Sequence, residues 1–287
     1  MTKFLLKRGH RVILCSRSPI SFKHESLVNI VSNLNNFDDV IFFVRTYSVT
    51  EAIYLINTRR AHDNINADIF ENKRFHLKLM RFLFENLDRV IYFSSGGRVY
   101  GFSNDPLRED NNLQPNCCYG KEKLFLERAL IYLSKKFNKE YLIIRPSNPY
   151  GPGQDIFGSH GFISVALGKY FKRESVTLWN GGVDRRDYIY VDDFYNMFYN
   201  IITAHMLPHS TYNLGTGVGT TALEILSLIE KKTNYKFIRK YDNFSASNAG
   251  HAVLDIQRYS TLFPNHKPLS VSSGIDKFIN DINSKLE

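Results

Sequence analysis

A tyrosine and a lysine four positions apart, Tyr119 and Lys123, have the residue types and the spacing that suit proton transfer. Apolar residues recur with helical spacing from Tyr119 to Lys136, and side chains four residues apart share one face of a helix. A free phenol ionises at about pH 10, and a nearby ammonium group favours the phenolate. We therefore expect Lys123 to lower the pKa of Tyr119, so that the phenolate accepts a proton from a sugar or alcohol hydroxyl.

Two serines, Ser94 and Ser95, follow an apolar run at 90–93 that is typical of a buried strand. A hydroxyl at the end of that strand completes a proton-transfer site where it meets the helix. The alternative is an exposed helix start that happens to contain Tyr119 and Lys123, because this spacing alone occurs by chance in many proteins.

The elements that must position these side chains alternate between strand-like and helix-like segments. Apolar runs predict strands at 11–15, 52–56, 90–93, 141–144 and 187–191, and helical spacing predicts helices at 67–87 and 119–136. This alternation predicts an α/β fold with a doubly wound parallel sheet covered on both faces. The Pro- and Gly-rich segment after Arg145 predicts a loop and a boundary between regions 1–150 and 151–287.

The 287 residues carry a net charge of +9, and 43% are hydrophobic, which is enough for a substantial core. The basic residues form pairs such as Lys231-Lys232 and not runs, so we expect anionic small molecules and no nucleic acid as partners. Cys15, Cys117 and Cys118 match no disulfide framework or zinc motif, which predicts a reduced, cytoplasmic protein without a metal site. No apolar stretch reaches the roughly 20 residues of a membrane helix, so no membrane association is expected.

Five short blocks spread along the chain carry most of its recognisable chemistry. They are Ser94-Ser95-Gly96-Gly97-Arg98-Val99-Tyr100-Gly101, Tyr119-Gly120-Lys121-Glu122-Lys123, Arg145-Pro146-Ser147-Asn148-Pro149-Tyr150-Gly151-Pro152-Gly153, Arg186-Asp187-Tyr188-Ile189-Tyr190-Val191-Asp192-Asp193 and Tyr212-Asn213-Leu214-Gly215-Thr216-Gly217. In this order they resemble the extended short-chain dehydrogenase/reductase family, particularly its nucleotide-sugar epimerases and dehydratases. The resemblance implies a Rossmann-like dinucleotide-binding domain at 1–150 and a smaller, mainly substrate-binding α/β region at 151–287.

The resemblance also implies roles for individual residues. Tyr119 is expected to be the general acid/base, Lys123 to lower its pKa and hold the cofactor ribose, and Ser95 to assist catalysis. The residues expected at the cofactor are Ser94, Tyr119, Lys123, Asn72, Arg17 and Pro146.

The residues expected at the substrate are Ser95, Gly96, Asn148 and Arg186. The resemblance implies that Asn148 and Arg186 contact the substrate diphosphate, and a guanidinium fork suits phosphate oxygens. The alternative for Arg186 is a solvated surface pair with Arg185, and for Asn148 and Asn72 it is a local role in a turn or helix.

Several departures from the family pattern narrow the reaction. Many relatives carry Ser or Thr where this chain has Gly96, so Ser95 is the hydroxyl expected to serve. Dehydratases carry an Asp-Glu pair where this chain has Gly97-Arg98, which disfavours dehydration and leaves the epimerase pattern. The segment 247–251 reads Ser-Asn-Ala-Gly-His where relatives often have Arg-Pro-Gly-Asp, so a second clamp on the diphosphate is absent or altered.

The start of the chain departs further. Residues 3–12 resemble the end of the family's first helix and its second strand, so the first strand and its glycine-rich turn are expected to be missing. The loss of a central strand is expected to expose the backbone N–H and C=O groups of its two neighbouring strands and to weaken cofactor binding. The segment 215–219 has Gly-x-Gly-x-Gly spacing and predicts a turn, not a dinucleotide loop, before a helix capped by Thr221 and Glu224.

The family resemblance implies NAD as the cofactor, with NADP as the alternative because Arg17, and no acid, follows the second strand. The expected reaction is epimerisation of a UDP-linked hexose at C4 through a transient keto sugar. The alternatives are a 4-reductase or dehydratase of the same family, or a truncated chain without catalysis. A homodimer through two long helices per subunit is also implied, with the helix at 67–87 as the candidate face.

Overall fold

The computed structural model describes residues 1–34, 37–57, 69–242 and 250–286, which form two compact units. The first unit takes its described residues from 1–58, 65–92 and 126–142, and the second takes them from 93–125 and 143–287. Both units are therefore assembled from segments that are distant in sequence. The domain boundary at residue 150 stays a prediction.

Helices form where apolar residues recur every three or four positions. They are α1 (Thr2–Lys7), α2 (Asp38–Thr46), α3 (Ile69–Asn86), α4 (Cys118–Phe137), α5 (Phe162–Lys172), α6 (Val191–Thr203), α7 (Ala222–Thr233), α8 (Gln257–Leu262) and α9 (Val271–Leu286). The predicted capping box at α7 is confirmed, because Thr221 Oγ1 accepts a hydrogen bond from the Glu224 backbone N–H and the Glu224 carboxylate accepts one from the Thr221 N–H. Among the described residues, none of these helices has the length and apolar character to span a bilayer.

Short strands alternate with the helices over most of the chain. They are β1 (Val12–Ser16), β2 (Leu27–Val31), β3 (Glu51–Tyr54), β4 (Arg89–Phe93), β5 (Glu140–Pro146), β6 (Asn148–Tyr150), β7 (Val176–Trp179), β8 (Arg185–Tyr190), β9 (Thr211–Leu214), β10 (Gly219–Thr221) and β11 (Arg239–Asp242).

Parallel strand pairs organise the first unit. β1 pairs with β2 in the register Val12↔Leu27, and β3 pairs with β4 in the register Glu51↔Arg89. Among the described residues these two ladders are separate. Ile91 and Tyr92 of β4 are fully buried, as expected for a parallel strand covered on both faces.

The second unit combines parallel and antiparallel pairs. β8 lies between β6, to which it is parallel, and β10, to which it is antiparallel, while β5 pairs with β9 and β7 with β11 in parallel. Apolar side chains from α5, α7 and α9, among them Ile163, Ile225 and Phe278, pack with Tyr188 of β8 into one buried cluster. This core fixes the strands that carry several of the predicted site residues.

The predicted α/β class is confirmed, and the predicted segments of the first half lie within two residues of the observed ones. Two predictions are wrong. Asn148–Tyr150 forms β6 and not a loop, because its backbone pairs with β8. Val191 begins α6 and does not end a strand, because Asp192 and Asp193 place negative charge in the first turn, where the helix dipole favours it.

Candidate active site

The turn after β4 forms one side of the candidate site. The Ser94 N–H donates to the Ile144 carbonyl at 2.8 Å, and the Gly96 N–H donates to the Pro146 carbonyl at 2.9 Å. The turn therefore lies alongside the end of β5 and is hydrogen-bonded to it. Ser94 is 4% exposed, and its Oγ has no hydrogen-bond partner in the described part of the chain. A buried hydroxyl without a partner, at the carboxyl end of a parallel strand, is a natural contact for a ligand.

The first turn of α4 forms the other side. The hydroxyl of Tyr119 is hydrogen-bonded to the side chain of Ser95. Gly120 allows this approach, because a Cβ there would lie 2.4 Å from the carbonyl oxygen of Arg98. A larger residue at position 120 pushes α4 away from the turn and separates Tyr119 from Ser95.

Lys123 lies one helical turn after Tyr119. Its side chain is 3% exposed, and Nζ donates to the carbonyl oxygen of Phe93 at 2.6 Å. Nζ also lies 5.6 Å from the centre of the Tyr119 ring, so the two residues share one helix face, as their spacing predicts. The helix therefore holds a buried positive charge near the phenol.

Burial raises the pKa of Tyr119 to about 12. The hydrogen bond with Ser95 and the charge of Arg98 favour the phenolate, but desolvation outweighs both. The prediction of a lowered pKa is therefore wrong, because burial of the phenol disfavours its ionised form. Tyr119 holds its proton at neutral pH.

The structure explains why Gly96 replaces the hydroxyl residue of many relatives. A Cβ at Gly96 would lie 2.7 Å from Leu254 Cδ1 and 2.9 Å from the Pro146 carbonyl oxygen. Such contacts are closer than packed atoms tolerate, so Ser or Thr does not fit. The neighbouring hydroxyl, that of Ser95, is the one bonded to Tyr119.

Asn148 stands where β6 meets β8. Its Nδ2 donates to the carbonyl oxygen of Asp187 at 2.7 Å, and its backbone is in register with Tyr188. This bond uses one of the two amide donors, so a ligand contact of Asn148 uses the Oδ1 acceptor or the second N–H.

Arg186 is not a solvated surface residue. Its side chain is 22% exposed, its Nη1 donates to the Arg185 carbonyl at 3.0 Å and to the Gly250 carbonyl, and its Nη2 lies 3.7 Å from the Asp184 carboxylate. The guanidinium also lies 4.9 Å from the centre of the Phe102 ring. Burial lowers the pKa of Arg186, and Asp184 opposes this effect. The arginine therefore stands in a defined orientation, as an anion contact requires.

Asp187 explains the glycine-rich segment at 215–219. This carboxylate is fully buried and accepts hydrogen bonds from the Thr216 N–H at 2.9 Å and the Gly217 N–H at 3.0 Å. The N–H groups of Thr216 and Gly217, which a phosphate would need, are thus already bound to the carboxyl group of Asp187. Residues 215–218 connect β9 to β10 and are not a dinucleotide loop, whereas Gly219, which was predicted to belong to the turn, begins β10.

Two residues expected at the cofactor belong to the first unit. Arg17 is exposed and follows directly after β1. Asn72 lies in α3, and its side chain is outside the described part of the structure, as are residues 247–249 of the altered C-terminal segment. Their roles stay predictions.

Sequence reasoning gave no role to a buried network behind the turn. The Tyr100 hydroxyl accepts from Arg145 Nη1 at 2.8 Å and donates to Asn213 Oδ1 at 2.7 Å. Arg98, on the same turn, also received no role. All four residues belong to the five blocks described above, and that membership is the signal by which they could have been found.

These residues fit a nicotinamide dinucleotide. The unpartnered Ser94 hydroxyl and the Lys123 ammonium offer polar contacts at the carboxyl end of a parallel strand, where such ligands bind in α/β folds. In the described ranges, no three His, Cys, Asp or Glu side chains are grouped to hold a metal ion. The arrangement can move a proton between Tyr119 and an oxygen placed beside Ser95.

Comparison with known proteins finds relatives over most of the chain. The model of the NAD dependent epimerase/dehydratase family matches residues 1–215. The chain is 32% identical over 247 residues to a dTDP-4-dehydro-6-deoxyglucose reductase of Escherichia coli, which covers 84% of this chain and 78% of the relative. It is 30% identical over 142 residues to a UDP-glucose 4-epimerase of Mycolicibacterium smegmatis, covering 49% of this chain and 45% of that protein.

Solved structures share the fold. The UDP-glucose 4-epimerase of Thermotoga maritima, solved with UDP-glucose, has a TM-score of 0.84 at 22% identity and covers 100% of this chain and 95% of its own. The UDP-glucose 4-epimerase of Thermus thermophilus, solved with NAD, has a TM-score of 0.84 at 20% identity, covering 97% of this chain and 93% of that one. The predicted Rossmann-like architecture is therefore confirmed.

Proposed function

This chain belongs to the NAD dependent epimerase/dehydratase family, and from that premise we propose that it epimerises a UDP-linked hexose at C4 with NAD as the cofactor. The observation that carries the proposal is the hydrogen bond between Ser95 and Tyr119, beside the buried ammonium of Lys123. NADP stays the alternative cofactor, because Arg17 and no acid follows β1.

Tyr119 moves the proton in the proposed reaction. Its phenolate takes the proton of the C4 hydroxyl while that carbon is oxidised, and its phenol returns the proton when the carbonyl is reduced on the other face. Ser95 hydrogen-bonds to Tyr119 and to the reacting oxygen, and Lys123 stabilises the phenolate. When bound, NAD supplies reversible hydride transfer at C4 and a positive charge on its oxidised ring.

The raised pKa of Tyr119 affects the two half-reactions differently, because oxidation of the sugar needs the phenolate and reduction needs the phenol. With a pKa of about 12, the phenol is ionised in roughly one molecule in 10⁵ at pH 7. Oxidation of the C4 hydroxyl therefore needs further positive charge near the phenol. Reduction of the carbonyl needs no such charge, because the Tyr119 phenol already carries the proton to be donated.

Arg186 and Asn148 bind the substrate diphosphate in this proposal. Arg186 is oriented by Asp184 and the Gly250 carbonyl, which leaves other N–H groups of its five for phosphate oxygens. Asn148 is fixed through Asp187 and adds an amide contact.

We also propose a cytoplasmic homodimer. Leu77 on α3 is 38% exposed and Tyr132 on α4 is 64% exposed, so both long helices carry apolar side chains at the surface. Light scattering of the purified chain should give twice the mass of one chain. A monomer at micromolar concentration contradicts the dimer.

A second candidate is reduction of a 4-keto sugar nucleotide. Two observations favour it: Tyr119 is protonated at neutral pH, and the relative that is 32% identical is named as such a reductase. A protonated phenol is the state that donates to the oxygen of a carbonyl undergoing reduction.

One experiment separates the candidates. The chain is incubated with UDP-glucose and NAD, and UDP-galactose is followed by chromatography; a parallel sample receives a 4-keto-6-deoxy sugar nucleotide and reduced cofactor. Epimerisation without net change in cofactor supports the first candidate, and stoichiometric oxidation of the cofactor supports the second. A chain that binds neither NAD nor NADP contradicts both and supports a protein without catalysis.

A further inference from the structure

Arg98 donates and accepts no proton in the proposed reaction, although its charge favours the phenolate of Tyr119. Its backbone N–H donates to the Ser95 carbonyl at 3.4 Å, and its own carbonyl oxygen faces Gly120 at the start of α4. Its side chain is half-buried. The turn that positions Ser95 against Tyr119 therefore also positions Arg98.

The Arg98 guanidinium makes no hydrogen bond and no ion pair with any residue that the structure describes. The other arginines of this region differ: Arg145 donates to the Tyr100 hydroxyl, and Arg186 faces Asp184. An arginine that only supports the fold has such partners, because a half-buried charge is costly unless it is paired. Arg98 thus has donors left for an anion that is not part of the chain.

The charge of Arg98 reaches the groups of the candidate site. At Tyr119 it opposes the larger effect of burial, which raises the pKa, and at Arg186 it adds to the lowering of the pKa that burial causes. Arg98 and Arg186 carry like charges that repel each other, and Asp184 forms an ion pair with Arg186 and not with Arg98. An anion bound at Arg98 removes the excess positive charge.

There is room for a ligand next to Arg98. A Cβ added at Gly97 would meet no atom within 4 Å, so the turn faces open space at this residue. Gly96, one position earlier, is packed tightly against Leu254. Gly97, which faces this open space, lies between Ser95 and Arg98 in the sequence.

We propose that Arg98 binds a carboxylate carried by the sugar ring, so that the site takes nucleotide-linked uronic acids in preference to neutral hexoses. This rests on the proposed function, since it needs a sugar beside Tyr119. A ring carboxylate is favoured over a phosphate because Arg98 shares its turn with Ser95, which contacts the proton-carrying Tyr119, whereas Arg186 is available for the diphosphate. A guanidinium and a carboxylate match in two parallel hydrogen bonds.

The wild-type chain alone gives the first test. Calorimetry compares its affinity for UDP-glucuronate, for the uncharged methyl ester of that compound, for UDP-glucose and for UDP. We expect UDP-glucuronate to bind about ten- to hundredfold more tightly than the ester or UDP-glucose, as for a charged hydrogen-bonded pair. Equal affinities overturn the proposal without any variant, so misfolding cannot obscure the result.

Variants give the second test. Arg98→Gln should remove the preference for the carboxylate and leave the affinity for UDP unchanged, while Arg98→Lys should keep part of the preference. Arg173→Gln, which removes the same charge from an exposed position in the same unit, is the matched control and should keep the full preference. If Arg98→Gln weakens UDP as much as UDP-glucuronate, Arg98 binds phosphate and the proposal is wrong.

The two proposals fail in different ways. If UDP-glucuronate binds selectively through Arg98 but no sugar is epimerised, the reaction is wrong and the carboxylate site stands. If UDP-glucose and UDP-glucuronate are epimerised with equal efficiency, the reaction stands and the role of Arg98 is wrong. If UDP and both sugar nucleotides fail to bind, both are wrong.

Discussion

The ammonium group of Lys123 donates a 2.6 Å hydrogen bond to the carbonyl oxygen of Phe93, the last residue of β4. This bond ties α4 to the strand end that is followed by Ser94 and Ser95. Because Lys123 is 3% exposed, its charge is poorly screened by water. The bond therefore fixes both the position of the helix and a positive charge next to Tyr119.

Replacing Lys123 tests this double role. Lys123→Met keeps the length of the side chain but removes the charge and leaves the buried Phe93 carbonyl without its donor. We expect the free energy of unfolding in urea to fall by about 1–3 kcal/mol and the epimerisation rate to fall by about 100-fold or more. Lys121→Met, the same change at an exposed position of α4, should alter neither. Equal behaviour of the two variants contradicts the role of Lys123.

The tight packing at Gly96 predicts a local steric effect. Gly96→Ser places a Cβ against Leu254 and the Pro146 carbonyl, and we expect it to destabilise the protein by about 1–3 kcal/mol. Gly97→Ser is the matched control, because a Cβ there meets no atom within 4 Å. In a double-mutant cycle, Leu254→Ala should make Gly96→Ser less costly. Additive losses in thermal or urea unfolding would show that Leu254 does not limit position 96.

The buried phenol of Tyr188 predicts a loss of stability in alkali. Burial raises the pKa of Tyr188 to about 12, whereas the unfolded chain ionises this group at about pH 10. The contribution of the buried, protonated Tyr188 to the free energy of unfolding is therefore complete below about pH 10 and is lost as the pH rises towards about 12. The free energy of unfolding of Tyr188→Phe, taken relative to that of the wild type, should therefore be about 1.4 kcal/mol higher at about pH 11 than at about pH 8.

Urea unfolding at the two pH values measures this difference. Tyr132→Phe is the control, because Tyr132 is 64% exposed and its phenol is solvated in the folded and the unfolded state. A difference between Tyr188→Phe and wild type that does not change with pH contradicts a raised pKa.

The parts of the site that depend on local sequence were predictable. The helix that carries Tyr119 and Lys123 follows from apolar spacing, and the Thr221 cap follows from residues three positions apart. The clash at Gly96 was not predictable, because it involves Leu254, far away in the chain. The pKa of Tyr119 depends on how deeply the folded protein buries the phenol, which the Tyr-to-Lys spacing does not determine.

Strand β6 shows the same limit. The segment from Asn148 to Tyr150 has the prolines and glycines of a loop around it, and it becomes a strand because β8 supplies partners for its backbone. Local propensity is overridden where a distant segment provides hydrogen bonds.

The rate of the Tyr119→Phe variant shows whether Tyr119 carries the proton in C4 epimerisation. The change removes one hydroxyl from a half-buried ring, so folding and UDP binding should stay close to wild type. With UDP-glucose or UDP-glucuronate and NAD, whichever the wild type converts faster, we predict a rate at least about 100-fold lower. A folded Tyr119→Phe variant that epimerises either sugar at the wild-type rate would contradict this role of Tyr119.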